Sequence, residues 1–364
     1  MASILVYIET RGGTVLPISF ELLDAARKLG ASDVHLKVGR PPIFRIRGQL
    51  RTLKDVPAMN SDVIETFAVN IMNQRQHQHF MEACEVDLAY GTEDGYRYRV
   101  NVFRQRGNTG MVMRIIPSQI PSFDRLNLPQ RVRDLSKEQR GLVLVTGTTG
   151  SGKSTTLAAM VNHLNENEYG HVLTVEDPIE FVHESKKCLV NQREVGPHTM
   201  SFNNALRSAL REDPDAILVG EMRDLETIRL ALTAAETGHL VFGTLHTSSA
   251  AKTIDRVVDV FPAAEKDMVR AMLSESLVAV ISQSLCKLKD GSGRVAAHEI
   301  MIATSAIKNL IRENKIAQMY SSIQTGSSLG MQTLDQNLAD LVRRNVIAAG
   351  EARAKAKFPE NFPG

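Results

Sequence analysis

The chain has 364 residues, which is more than one ordinary domain holds, so its length predicts two domains. Apolar residues make up 43% and charged residues 23%, the balance of a globular protein with sizeable cores. The 43 basic and 41 acidic residues give a formal charge of +2, so no strong overall field favours binding to nucleic acid or to a membrane.

The cysteines and the hydropathy pattern indicate a cellular compartment. The three cysteines lie far apart in sequence, which argues against a zinc site, and their odd number argues against a disulfide framework: Cys84, Cys188 and Cys286. No apolar run approaches the ~20 residues that a membrane span needs. The N-terminus has no basic start of a signal peptide. These features predict a cytoplasmic protein, with residues 1–17 as an N-terminal extension that we assign to no domain.

The first part of the chain, residues 18–116, predicts a small α+β domain. Apolar residues at helical spacing predict a helix over residues 19–29, and a second helix is predicted over residues 63–71. Alternating apolar residues predict strands, at 34–38, 43–46, 86–90, 96–103 and 111–116. Residues 117–140 are rich in proline and charge, which is typical of a linker.

From residue 141 to residue 364 the pattern changes to apolar strands that alternate with helices. The predicted strands are 141–146, 172–175, 216–219 and 240–244. This alternation predicts a parallel sheet that is covered by helices. After Pro262 the chain is expected to be mostly helical, with an apolar stripe formed by Met268, Met272, Leu273 and Leu277.

A phosphate-binding loop is the sharpest signal in the sequence. The residues from Gly147 to Ser154 read GTTGSGKS and match G-x-x-x-x-G-K-S/T at every fixed position, between a predicted strand and a predicted helix. Backbone amides of such a loop surround the phosphates of ATP or GTP, the lysine contacts the β- and γ-phosphates, and the serine hydroxyl binds Mg²⁺. The expected nucleotide-binding residues are Gly147, Thr149, Gly150, Ser151, Gly152, Lys153, Ser154 and Thr155.

Carboxylates and histidines follow the later predicted strands. Glu176, Asp177 and Glu180 come after one strand, and Glu221 ends another. Carboxylates at such strand ends can hold Mg²⁺ or position water, although many are simply solvated. His239 and His246 bracket the strand 240–244, so one is expected at each end of it. A packed or capping histidine is the more common alternative to a phosphate-sensing one.

The arginines of the small domain form one further candidate group. Alternation along a strand places Arg97 and Arg99 on the same face, and Arg114 lies on the next strand. A solvated basic face is the usual explanation for such a pattern. An arginine finger requires that the small domain of one subunit abut the ATP site of another.

Four motifs in order resemble those of the secretion ATPases, and within them the PilT-type retraction motors of type IV pili. GTTGSGKST resembles the Walker A motif, TVEDPIEF the Asp box, ILVGEMRD the Walker B motif and GHLVFGTLHT the His box. GASDVHL and YRYRVNVF resemble parts of the family's PAS-like N-terminal domain. The resemblance, which covers the chain from about residue 18 onward, implies a RecA-like P-loop ATPase domain with a parallel sheet, preceded by a PAS-like α+β domain and followed by C-terminal helices.

The resemblance also implies roles for the site residues. Lys153 and Ser154 would hold the phosphates and Mg²⁺, and Glu221 and Glu180 would share Mg²⁺ coordination and water activation, with the choice of base left open. His239 and His246 would link the nucleotide state to domain movement. The trans-acting arginines would be Arg99 and Arg114.

The assembly that the resemblance implies is a homohexameric ring that hydrolyses ATP for pilus retraction and twitching motility. Its expected partners are an inner-membrane platform protein and a PilU-type paralogue, and its expected place is the cytoplasmic face of the inner membrane, peripheral to it. No nucleic acid is expected, because the sequence has no tryptophan and only 5% aromatic residues from which to build a stacking surface.

Two positions depart from the family pattern, and three other functions stay open. Lys308 replaces an arginine in AIKNLIRE, a segment that resembles the family's retraction signature, and Thr148 replaces the usual proline of the Walker A loop. An accessory PilU-type pilus ATPase, a nucleic-acid-translocating RecA-like motor and a small-molecule P-loop kinase are the alternatives. The lack of a tetracysteine module argues against pilus-assembly and type II secretion ATPases.

Overall fold

A computed structural model describes residues 20–46, 48–54, 56–92, 94–117 and 119–362. The chain divides into two compact units, Met1–Ser118 and Gln119–Gly364. The expected N-terminal extension, residues 1–17, lies outside the described residues. None of the helices in the described ranges is long and apolar enough to cross a membrane.

In the part of the chain that the structure describes, the first unit is a six-stranded antiparallel sheet with three helices, in the sheet order β3-β2-β1-β6-β5-β4. Its elements are α1 (Phe20–Lys28), β1 (Ala31–Leu36), β2 (Ile43–Ile46), β3 (Gln49–Thr52), α2 (Ser61–Ile71), α3 (Gln74–Ala83), β4 (Glu85–Gly91), β5 (Arg97–Gln105) and β6 (Asn108–Ile116). Alternate residues of β5, among them Tyr98 and Val100, are fully buried in one core with Phe67 of α2. This one-sided burial is the pattern that period-two alternation predicts.

The second unit is a seven-stranded sheet in the order β13-β12-β7-β11-β10-β8-β9, parallel except for β13. Its strands are β7 (Gly141–Thr146), β8 (His171–Glu176), β9 (Leu189–Glu194), β10 (Ala216–Val219), β11 (Leu240–Leu245), β12 (Leu277–Lys287) and β13 (Arg294–Ile302). Its helices are α4 (Gln130–Leu135), α5 (Lys153–Asn167), α6 (Phe202–Ala209), α7 (Leu225–Glu236), α8 (Ala250–Asp259), α9 (Lys266–Ser276), α10 (Ser305–Arg312), α11 (Met319–Thr325), α12 (Leu334–Arg343) and α13 (Ala349–Lys355).

Both faces of this sheet are covered. Leu142 and Leu144 of β7 belong to one hydrophobic core, whereas Val143 and Val145 belong to another. Because a strand that is buried on both faces has no polar side, β7, β10 and β11 are continuous apolar runs in the sequence. This arrangement confirms the predicted parallel sheet covered by helices.

The expectation that the chain is mostly helical after Pro262 was wrong for the two strands β12 and β13. Leu277, which we placed in a helical stripe, opens β12, and Met268 on α9 is 47% exposed. β12 lies between β7 and β13 and is mostly buried, so its apolar residues follow no clear period. Short apolar runs of this kind are ambiguous between strand and helix.

Two other segments contain regular structure that bears on the sequence analysis. Residues 117–140, the segment suggested as a linker, include α4, whose Val132 and Leu135 are buried in a core of the second unit. AIKNLIRE comprises α10 from its second residue onward and the residue after the helix, and the Nζ atom of Lys308 donates to the backbone oxygen of Glu275 at 3.3 Å.

Candidate nucleotide-binding site

Four parallel strands of the second unit bring the predicted site segments to one edge of the sheet. β7 ends before the phosphate loop, β8 before Asp177, β10 before the Gly220-Glu221 pair, and β11 before His246. The carboxyl ends of parallel strands lie at a common edge, which is where open α/β sheets bind ligands. Their order in the sheet, β7-β11-β10-β8, makes these four segments neighbours.

The phosphate loop, residues 147–152, turns sharply between β7 and α5. Gly147 has φ +145°, and a Cβ atom there would lie 2.4 Å from the backbone oxygen of Gln283 and 2.5 Å from the Oγ atom of Ser151. Only glycine fits such a position. The Oγ atom of Ser151 is buried and has no hydrogen-bond partner within the described structure. A buried hydroxyl without a partner beside a helix N-terminus suits a phosphate oxygen.

Lys153 begins α5 and is folded over the loop. Its side chain is 8% exposed, and its Nζ atom donates to the backbone oxygens of Gly147 at 3.0 Å and Thr148 at 3.2 Å. Burial lowers the pKa of Lys153, whereas the charges of Glu221 and Glu180 oppose that shift. Ser154 and Thr155 follow in the first turn of α5 and are partly exposed. The loop thus holds a buried ammonium group in the field of two carboxylates.

Glu221 sits in a small charged cluster just beyond β10. One of its carboxylate oxygens, Oε1, lies 2.6 Å from Nε of Arg223 and 3.2 Å from Nε2 of His246. Partial burial raises the pKa of Glu221, but Arg223 and His246 outweigh this effect, so the pKa lies below its ordinary value. The carboxylate is therefore ionised at neutral pH.

The acidic residues at the end of β8 and just beyond it have different environments. Glu176 accepts hydrogen bonds from Oγ1 of Thr174 at 2.7 Å and Nε2 of Gln192 at 3.1 Å, and burial raises its pKa. Its carboxyl group is thus used within the fold. Asp177 and Glu180 are exposed. Of these acids, Glu180 also acts on Lys153, because its negative charge raises the pKa of that lysine.

The two histidines lie at opposite ends of β11, as the sequence predicts. His246 follows Leu245 and contacts Glu221. His239 precedes Leu240, and its Nδ1 atom donates to the backbone oxygen of Ala234 at 2.9 Å. Because the whole strand separates them, the structure brings His246 to the phosphate-loop edge and leaves His239 at the other edge.

The arginines of the first unit lie on the face of β5 and β6 that is turned away from the core. Arg99 is exposed and pairs directly with Arg114 across the two strands. The Nε atom of Arg114 donates to Oδ1 of Asp33 at 2.9 Å, and Asp33 is 4% exposed. Arg114 is therefore tied to β1, whereas the exposed Arg99 extends from the sheet beside it.

Sequence reasoning missed two residues of the site. Arg223 lies within the quoted segment ILVGEMRD, two positions after Glu221, so its proximity could have been anticipated. Gln283 contacts the phosphate loop from β12, a strand that was not predicted, and it is 132 positions from Ser151. A contact across so many residues leaves no local signal.

The comparisons with known proteins agree with this geometry. The family model described as "Type II/IV secretion system protein" matches residues 10–351. The "Type IV pilus retractation ATPase PilT" of Pseudomonas aeruginosa is 62% identical over 94% of this chain and 99% of its own length. The chain belongs to the PilT-type ATPases of that family.

Further relatives of this PilT-type ATPase support the assignment. A "Twitching motility protein" of Neisseria gonorrhoeae is 57% identical over 88% of this chain and 86% of its own. The Pseudomonas aeruginosa "Type IV pilus ATPase PilU" is 38% identical over 92% of this chain and 88% of its own. A crystal structure titled "Pilus Retraction Motor PilT and Bound ADP" has a TM-score of 0.88 and 48% identity, covering 95% of this chain and 98% of that one.

Proposed function

We propose that this PilT-type ATPase powers type IV pilus retraction as a homohexameric ring. The observation that carries the proposal is the phosphate loop with Lys153 and Glu221 at one sheet edge, in a chain 62% identical to a pilus retraction ATPase. Hydrolysis at this edge would move the two units of each subunit, and the ring would act on an inner-membrane platform protein to remove pilin subunits.

The residues of the edge fit ATP together with Mg²⁺. The N-terminus of α5 attracts an anion, the Ser151 hydroxyl has no partner among the described residues, and Lys153 would neutralise the β- and γ-phosphates. The Ser154 hydroxyl and the ionised Glu221 are the groups that would hold Mg²⁺. Mg²⁺ held there would supply positive charge that offsets the negative charge developing on the phosphates.

Water activation falls to the carboxylates that face Lys153. Glu221 is ionised at neutral pH and is hydrogen-bonded to His246, so it can accept a proton or orient a water molecule. Glu180 is the second candidate, because it is exposed and shares the field of Lys153. His246 links Glu221 to β11, and His239 would carry a change in that strand to the opposite edge.

The proposed ring would give a function to two arginines of the first unit, the exposed Arg99 and the Asp33-bound Arg114. In our proposal Arg99 and Arg114 of one subunit stabilise the transition state at the ATP site of a neighbour, as arginine fingers do. A PilU-type paralogue would be a further partner at the cytoplasmic face of the inner membrane. Nucleic acid would not be one.

An accessory PilU-type function and a nucleic-acid motor are the alternatives. The first is disfavoured by the identity to PilU, 38% against 62% to PilT. The second predicts ATP turnover that rises on addition of DNA, whereas our proposal predicts turnover that DNA leaves unchanged. Steady-state ATPase assays with and without single-stranded DNA distinguish the two.

The direct test is a count of surface pili by electron microscopy in a deletion strain. The strain is complemented with the wild-type gene or with Lys153→Ala, and expression of both is checked by immunoblot. We expect excess pili in the deletion strain, corrected by the wild type alone. Bald cells would point to assembly instead, and an unchanged count would contradict a retraction role.

A further inference from the structure

Gln283 connects the phosphate loop to the neighbouring strand β12. Its side chain is 3% exposed. The Nε2 atom donates to the backbone oxygen of Ser151 at 2.8 Å, and the Oε1 atom accepts from Oγ1 of Thr156 at 2.9 Å. One buried amide thus bonds both to the loop and to the first turns of α5.

The backbone of the loop also lies against Gln283. A Cβ atom at Gly152 would be 3.2 Å from Nε2 of Gln283, and one at Gly147 would be 2.4 Å from its backbone oxygen. β12 runs parallel to β7, and Ser282 pairs with Thr146, the last residue before the loop. The contact with β12 therefore requires glycine at position 147, independently of any phosphate, whereas at Gly152 the φ of +91° favours glycine.

The contact is strong because its polar atoms are buried. An amide that satisfies a buried carbonyl and a buried hydroxyl leaves both unsatisfied when it is removed, and such losses are larger than the gain from an exposed hydrogen bond. Both polar atoms of the Gln283 amide are used by Ser151 and Thr156. Its effect on nucleotide binding would act through the shape of the loop.

We infer that Gln283 is a positioning residue that holds the phosphate loop in its binding shape from beneath. The inference rests on the proposed nucleotide site, and it adds a residue that holds the loop without touching phosphate. Without Gln283 the loop samples other conformations, and nucleotide binding must first restore the right one.

The test is calorimetric titration of the full chain with ADP and Mg²⁺. Gln283→Ala should weaken ADP binding by about tenfold, the loss that one or two unsatisfied buried partners give. Gln332→Ala is the matched control, since the Gln332 side chain donates to the backbone oxygen of His298 instead of to the phosphate loop. It should bind ADP like the wild type.

Gln283→Glu separates positioning from general packing. A carboxylate cannot donate to the Ser151 oxygen, but burial raises the pKa of a carboxyl group, and its protonated form donates again. The binding deficit of this variant relative to wild type at equal pH should therefore shrink as pH falls from about 8 to about 6. A purely structural loss would leave the deficit constant.

The outcomes are distinct. Any one of three results would overturn the inference. Gln283→Ala could bind ADP with wild-type affinity, Gln332→Ala could lose as much ADP affinity as Gln283→Ala, or the binding deficit of Gln283→Glu could be independent of pH. Failure of the wild-type chain to bind ADP would instead overturn the proposed nucleotide site on which it rests.

Discussion

Glu221 lies just beyond β10, with Arg223 and His246 in contact with the same carboxylate oxygen. Arg223 and His246 together keep the carboxyl group of Glu221 ionised in spite of its partial burial. A carboxylate held in this way is available to Mg²⁺ or water at neutral pH. Its neighbour Glu176, by contrast, is occupied by internal hydrogen bonds, so two glutamates that look alike in sequence differ in what they can do.

The role of Arg223 predicts a shift in the pH profile. In Arg223→Ala the pKa of Glu221 should rise, because the largest opposing effect to burial is removed. Activity that needs the ionised form would then be lost at a higher pH, so the acid limb of kcat/KM should move upward. The test is to measure kcat/KM across pH for this variant and for the wild type. Arg229→Ala is the control, because Arg229 pairs with Glu265 and not with Glu221. An unmoved acid limb would show that Arg223 does not tune Glu221.

The exposed Arg99 predicts a kinetic defect without a binding defect. If it acts in trans, Arg99→Ala should lower kcat by roughly 10³-fold while the affinity for ADP stays unchanged. Arg51→Ala on β3 is the control, because it removes an exposed arginine from the same sheet. A kcat equal to that of the control would contradict the trans-acting role. Arg99 would then be part of a solvated basic face, which is the usual explanation for such a pattern.

At the scale of elements, local signals predicted most of the structure that carries the site. β7 and β10 have the predicted bounds, since both are fully buried apolar runs between turn signals. β3 was missed because all of its residues are exposed, and α3 because its one buried residue is Phe80. β12 was missed because Ser282, Gln283 and Ser284 interrupt its apolar residues, so the segment is neither a continuous apolar run nor a regular alternation.

The helix after the Walker B segment offers a stability prediction. Asp224 caps α7 and accepts from the backbone nitrogen of Thr227 at 2.9 Å. Burial raises the pKa of Asp224, but hydrogen bonds from Thr227 and Asn203 outweigh it, so the folded-state pKa is lowered. Asp224→Ala should cost about 1 kcal/mol of unfolding free energy at neutral pH.

The sign of this effect with pH follows from the lowered pKa. The carboxylate stabilises the folded chain fully above its unfolded-state pKa of about 3.9, and the contribution disappears as pH falls through the folded value. The difference between wild type and Asp224→Ala should therefore vanish in acid, as measured by denaturant unfolding. Asp267→Ala, whose side chain is 99% exposed, should show little difference at any pH. A loss that persisted in acid would contradict the capping role.

At the scale of the whole molecule, the order of motifs in the sequence predicted the family. The parallel sheet explains how motifs that are distant in sequence meet in one site. Segments distant in sequence, from Gly147 to His246, meet because parallel strands place their ends together. The contact of Gln283 with the phosphate loop and that of His246 with Glu221 arise only from this folding, so no local pattern predicts them. Each unit has its own hydrophobic core, which is compatible with the proposed movement of the two units.

The most direct measurement is live imaging of fluorescently labelled pili on single cells of the deletion strain. Cells that carry the wild-type gene should extend and retract their pili, whereas cells with Lys153→Ala at equal protein levels should extend pili that do not retract. Retraction at wild-type frequency with Lys153→Ala, or its absence with the wild-type gene, would contradict a motor driven by ATP at this phosphate loop.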